Sequence, residues 1–253
     1  MFVRLMIAVV VFCFVATGFL PAQDDAKPEM IAARELIEKL DDLSAAWPTS
    51  AELIKLANRP QARLHVVKVL EPHLSAPADA LKATRALAAA QAILLLSDKP
   101  IANDSTEYKA ASALLAVAGN PQLPFDIRRA AARMPGRFSE LAGNAKYKRD
   151  IQNALSAIDD DRIKIHLCES IWHIAPSSMV SRTLSGIVVR NDANRDVRYL
   201  AALTMYEMGM YTTLNKQIVA ELASEPTDWG ERARPLPKLR GTQNNYRVPD
   251  LPA

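Results

Sequence analysis

The chain has 253 residues, 49% of them apolar, with 31 basic and 28 acidic residues and a formal net charge of +3. That length suits one large domain or one repeat array with a real core, and the near balance of charge removes the electrostatic case for a nucleic-acid binder. Two cysteines, Cys13 and Cys168, exclude the disulfide-dense scaffolds of small secreted proteins.

The chain opens with Arg4, then an apolar run over residues 5–20, then Pro21, Ala22, Gln23 and the acidic pair Asp24 and Asp25. A basic start, an apolar stretch and a small residue at its exit form the pattern of a secretory signal peptide, expected here over residues 1–22. The run is about 16 residues, short of the roughly 20 that span a bilayer. Export to a periplasmic or extracellular space is therefore expected, with retention as an N-terminal anchor as the alternative. Export leaves Cys168 as the lone cysteine, a buried thiol in an apolar helical stretch. Glycine is scarce, alanine is abundant, and long β-branched runs are absent, so the expected class is all-α.

Residues 28–47 read as one amphipathic helix with Ile31, Leu36, Ile37, Leu40 and Leu43 near helical spacing and Pro28 at its first position. Thr49 or Ser50 then caps a short helix through Leu53 and Leu56, ended by Asn58 and Pro60. A helix follows Pro60, and an alanine-rich one runs from Pro77 to about Ser97. These form a region of helical hairpins over 23–97. A second region, 98–225, opens with a loop and a helix capped by Asp104 or Ser105 and ended by Gly119. A short helix from Phe125 stops at Pro135 and Gly136. Helices then cover residues 145–158, 161–175, 178–190, 196–208 and, after Thr212 or Thr213, 214–224. Residues 226–253 hold five prolines and no apolar periodicity. They read as an extended tail resting on the last helices through Trp229, Leu236, Leu239 and Tyr246, with Arg232, Arg234, Lys238 and Arg240 in solvent.

Three segments share a pattern: DIRRAAARMPGRF from Asp126, DRIKIHLCESIWHIA from Asp161 and DVRYLAALTMYEMG from Asp196. Their aspartates are 35 residues apart in both steps. Each has a capping Asp, a branched residue (Ile127, Ile163, Val197), then a basic residue (Arg128, Lys164, Arg198). Small or apolar pairs follow at Ala131–Ala132, Leu167–Cys168 and Ala201–Ala202. The Asp caps and complements the helix dipole, and the branched residue starts a buried stripe. The basic residue is expected to face outward or to reach a neighbouring carboxylate. Each copy follows another amphipathic helix, so the unit is a hairpin that must stack on its neighbours. Over residues 105–224 this resembles the HEAT-like helical repeats. The resemblance implies a right-handed α-α superhelix, a solenoid that binds proteins, and it brings no catalytic residue.

No residue cluster has the spacing of a catalytic, cofactor-binding or metal site, and no cofactor is expected. The four histidines are His65, His73, His166 and His173; His166, Glu169 and His173 are the nearest approach to a metal set, without a third strong ligand. The run Asp159–Asp160–Asp161 lacks calcium-loop spacing and reads as a turn and helix start. Asn103–Asp104–Ser105 matches a glycosylation sequon in form only. Trp172, Tyr199, Tyr206 and Tyr211 read as core or as a concave binding surface, with Arg198 and Tyr199 expected to point outward. The expected function is an exported scaffold for an unidentified protein partner, not a nucleic-acid binder. The alternatives are an enzyme or accessory subunit using Glu107, Asp126 and Glu169, and an adaptor tethered by its N-terminal segment.

Overall fold

The computed structural model describes residues 27–75, 77–175, 177–190 and 194–236. The expected signal segment, the turn at 191–193 and the distal tail with Lys238, Leu239, Arg240 and Tyr246 lie outside them. Among the described residues the chain is all-helical, with twelve α-helices, three 3-10 turns and no strand. The helices are α1 Pro28–Glu38, α2 Ala46–Ala57, α3 Ala62–Leu70, α4 Ala80–Leu95, α5 Thr106–Gly119 and α6 Phe125–Arg133. They continue as α7 Ala145–Ala157, α8 Asp161–Ile171, α9 Ser177–Val189, α10 Arg195–Glu207, α11 Thr213–Ala223 and α12 Asp228–Ala233.

Several boundaries follow side-chain caps that the sequence names. Ser105 accepts from the Tyr108 amide at the head of α5, and Thr212 and Asn215 form a reciprocal capping box at α11. Gly209, with φ of 79°, ends α10 in a Schellman turn: Met210 N donates to Met205 O, and Gly209 N to Tyr206 O.

Three regions differ from expectation: the helix expected over 161–175 ends at Ile171, with residues 172–174 in turns, and the other two lie at Pro48 and in the tail. The predicted helix over 28–47 breaks after Glu38, and α2 begins at Ala46, so Pro48 lies in its first turn rather than ahead of it. The amide that Pro48 lacks has no intrahelical partner there, so it is tolerated. Ser50 is therefore not a cap. Its hydroxyl is buried and donates to Ala46 O and to Ala88 O in α4, at 2.8 and 3.0 Å. In the expected extended tail, residues 228–233 instead form α12, capped by Thr227 and held near its start by Gly230, where a Cβ would lie 2.0 Å from Glu225 O.

Packing runs between helices near in sequence. Helices α1, α2 and α3 pack together, α2 on α4, and α4 on α5; α5 meets α6 and α7, and α6 meets α8. Beyond them α10 packs on α8, α9 and α11, and α11 on α12. Helix α4 is central to the first part. Its small residues Ala88, Ala89 and Ala90 are fully buried, and the Ser50–Ala88 bond shows how closely α2 approaches its backbone. A helix apolar on most sides is stable only when neighbours cover several faces.

Candidate interaction surface

The basic residues of the repeated pattern do not face outward. Arg128 is 8% exposed and its Nε donates to Ala118 O, at the end of α5, at 3.1 Å. Arg198, half-buried, donates in the same way to Val188 O, at the end of α9, also at 3.1 Å. In both cases the acceptor lies ten residues earlier, so each guanidinium satisfies the orphan carbonyls of the helix that precedes its own. Lys164 departs from this: its Nζ lies 3.7 Å from Asp161 in its own first turn. Arginines outside the pattern work similarly, Arg63 on Leu96 O and Arg85 on Leu40 O.

The pattern's aspartates sit inside the first turn rather than at the cap. Asp160 and Asn194 cap α8 and α10 by accepting amide hydrogens, while Pro124, which has no side-chain acceptor, precedes α6. Asp126, Asp161 and Asp196 keep the dipole role. The small and apolar pairs at 131–132, 167–168 and 201–202 are all buried, as the spacing requires.

Tyr199 is not an outward residue. Its ring meets Trp229 of α12 edge to face, centroids 6.4 Å apart, and its hydroxyl accepts from Arg195. Tyr206 is buried against Tyr211, centroids at 4.7 Å, and Trp172 packs partly buried on the core. The α12 turn is also clamped to α10 by Arg232, whose two nitrogens each lie 2.7 Å from a Glu207 carboxylate oxygen. The expected rest of Trp229 and Leu236 on the last helices is present, whereas Arg232, expected in solvent, is paired, and the sequence does not predict the helix itself because six residues carry too little periodicity to register.

The acids weighed for an enzyme reading have separate surroundings. Glu107 lines a loop groove, Asp126 pairs with Arg129 at 3.0 Å, and Glu169 is buried beside His166 Nδ1 at 3.4 Å. His173 lies beyond the end of α8 and is exposed, so it does not share a helical face with His166. Among the described residues no group of three His, Cys, Asp or Glu side chains is placed to hold a metal ion. Burial pushes the Cys168 thiol up to about 12, partly opposed by a hydrogen bond with Thr183. The buried-thiol expectation agrees with that. No described helix is long and apolar enough to cross a membrane.

Three grooves on the described surface differ in charge. One, between α1 and α2, has Leu36 and Leu56 on its floor and the pairs Glu35–Lys39 and Glu52–Lys55 on its rims. A second, at the loop before α5, holds Arg63 with Asp98 at 3.7 Å, together with Lys99 and Glu107. The third, of about 310 Å³, runs between α7 and α9, with Leu155 and Met179 at its base and Gln152, Ser156, Ser178 and Arg182 around it. No family model, curated protein or solved structure matches this chain.

Proposed function

We propose that the chain is an exported scaffold of stacked HEAT-like helical hairpins, forming a superhelix that binds a protein partner. The observation that carries this reading is the serial packing: helices meet neighbours close in sequence, as a quasi-one-dimensional stack does. The 35-residue recurrence supports it, together with the shared bond from Arg128 and Arg198 to the carbonyl ten residues earlier. A stack of this kind presents long groove-bearing faces, which suit peptide or domain capture better than they enclose a small substrate. The basic start and apolar run of residues 1–20 support export.

Small-angle scattering of the purified chain tests the shape, and an elongated, curved envelope is expected. Crosslinking from the native cell envelope and the secreted fraction, read by mass spectrometry, tests the role. One reproducible protein partner is expected, and a compact particle with no partner in either fraction would remove the reading. The same spectra report the mature N-terminus, expected at Gln23.

A further inference from the structure

We propose that the groove between α7 and α9 is the docking face of this scaffold, and that it takes an extended, acidic polypeptide segment in which carboxylates alternate with apolar side chains. This deepens the scaffold reading and rests on it. Charge separates this groove from the other two. The α1–α2 groove sets Glu35 and Glu52 beside Lys39, Lys55 and Arg59, and the loop groove sets Asp98 and Glu107 beside Arg63 and Lys99, so both hold resident carboxylates. The described lining of the α7–α9 groove contains Arg182 and no acidic residue.

The flanking helices deepen that imbalance. Helix α9 carries no Asp or Glu over its whole length, and α7 carries only Asp150. The Asp150 carboxylate is already engaged by the Tyr108 hydroxyl on the opposite side, against α5, and Lys146 lies over that tyrosine ring at 4.0 Å. Arg149 is exposed two turns before Ser156 on the same stripe of α7, which extends the positive face beyond the groove. Arg182 is exposed and unburdened by any carboxylate of the described chain. An incoming carboxylate therefore meets a fork of donors that no described carboxylate occupies.

The rest of the lining suits a backbone with alternating side chains. Leu155 is buried, and Met179 is partly buried beside it, an unbranched and adaptable contact for an apolar side chain. Gln152, Ser156 and Ser178 offer hydroxyl and amide groups to peptide N–H and C=O groups along the rim. A volume of about 310 Å³ is at the bottom of the range for ligand pockets, and the groove is open along one side. That shape holds a short stretch of a longer chain.

The test is fluorescence anisotropy of the full chain with a fluorescein-labelled peptide of alternating glutamate and leucine. Saturable binding is expected, weakening as salt rises. Binding should fall by roughly tenfold or more with a glutamine–leucine peptide, with Arg182→Gln, and with Ser178→Glu, which keeps the arginine but adds a carboxylate to the rim. Lys55→Gln, at the α1–α2 groove, should leave binding unchanged. Arg182 and Ser178 are exposed, so unchanged thermal melts are expected and confirm folding. The proposal is overturned by absence of binding up to millimolar peptide, by equal binding of the two peptides, or by undiminished binding in both groove variants. Competition by free glutamate as effective as by the peptide would mark a small-anion site and also overturn it. A crosslinked partner retained by Arg182→Gln would sink this groove and leave the scaffold standing. Peptide binding at the groove without any envelope partner would do the reverse.

Discussion

Arg128 shows how one side chain joins two helices. It is buried, it satisfies Ala118 O, and it faces Asp160 at 3.9 Å. Truncation in Arg128→Ala leaves a carbonyl and part of a carboxylate without their partner, at a cost of about 2–3 kcal/mol. Arg198→Ala, at a half-buried site, should cost about 1 kcal/mol. Urea midpoints of the two variants check the ranking; equal shifts would refute the burial argument. Cys168 belongs to this scale as well. With its thiol raised by burial, it should resist a thiol reagent at neutral pH in the folded chain and react fully only on unfolding. His73 adds a pH dependence. Its pKa is held below the ordinary 6.5 by burial and by Arg85, with Glu38 opposing. Folding therefore favours the neutral ring. Its contribution is present above the unfolded value and is lost as pH falls through the folded one. A charged ring would also be repelled by Arg85, which donates to Glu38 O at the end of α1. Thermal melts between about pH 7 and about pH 5 should show a smaller loss in His73→Gln than in the parent.

At the scale of elements, caps with a second duty matter most. Asn144 caps α7 by accepting from Tyr147 N at 2.8 Å, and its amide nitrogen donates to Ile101 O in the loop before α5 at the same distance. It is 6% exposed, so neither bond is replaced by water when the side chain is removed. Asn144→Ala should cost about 2 kcal/mol, more than a simple cap loss. Thr212→Ala, which breaks only a local capping box at α11, should cost about 1 kcal/mol. Denaturant titration of both variants separates the two cases. The turn after α6 is equally constrained: a Cβ on Gly136 would stand 1.5 Å from Ser170 O, so the 3-10 turn there has no room for any other residue.

The whole molecule is held by contacts between near neighbours, so stability should vary along the chain. Helices α4 and α5 are enclosed by several others, whereas α12 packs chiefly on α11, and α1, the first described helix, packs on α2 and α3 with a lighter contact to α4. Amide exchange should be slowest in α4 and α5 and fastest in α1 and α12. Uniform protection from end to end would show a single cooperative unit instead. The Arg232–Glu207 clamp and the Tyr199–Trp229 contact tie α12 to α10, beside its packing on α11. Glu207→Gln should therefore speed exchange in α12 without reaching α4.

The all-helical class and most helix ends were legible in the amino-acid order, because they depend on short-range physics. Apolar spacing, Ser105, Thr212 and Gly209 act within a turn or two of themselves. The same locality misled at Pro48, where the expected helix end was a first turn, and at residues 228–233, where a helix too short for its own pattern forms against Tyr199 and Glu207. The repeated Asp and basic residue were visible as a pattern, but the side chain of Arg128 has no preference of its own between solvent and a carbonyl ten residues away. Only the antiparallel approach of α5 and α6 offers that carbonyl. The α7–α9 groove is in the same position: neither Arg182 nor Leu155 signals a groove by itself, and it is the fold that brings them to one lining, where no described carboxylate stands beside the arginine. Local propensity is written residue by residue, whereas which charges find partners is settled by distances that exist only once the helices have packed.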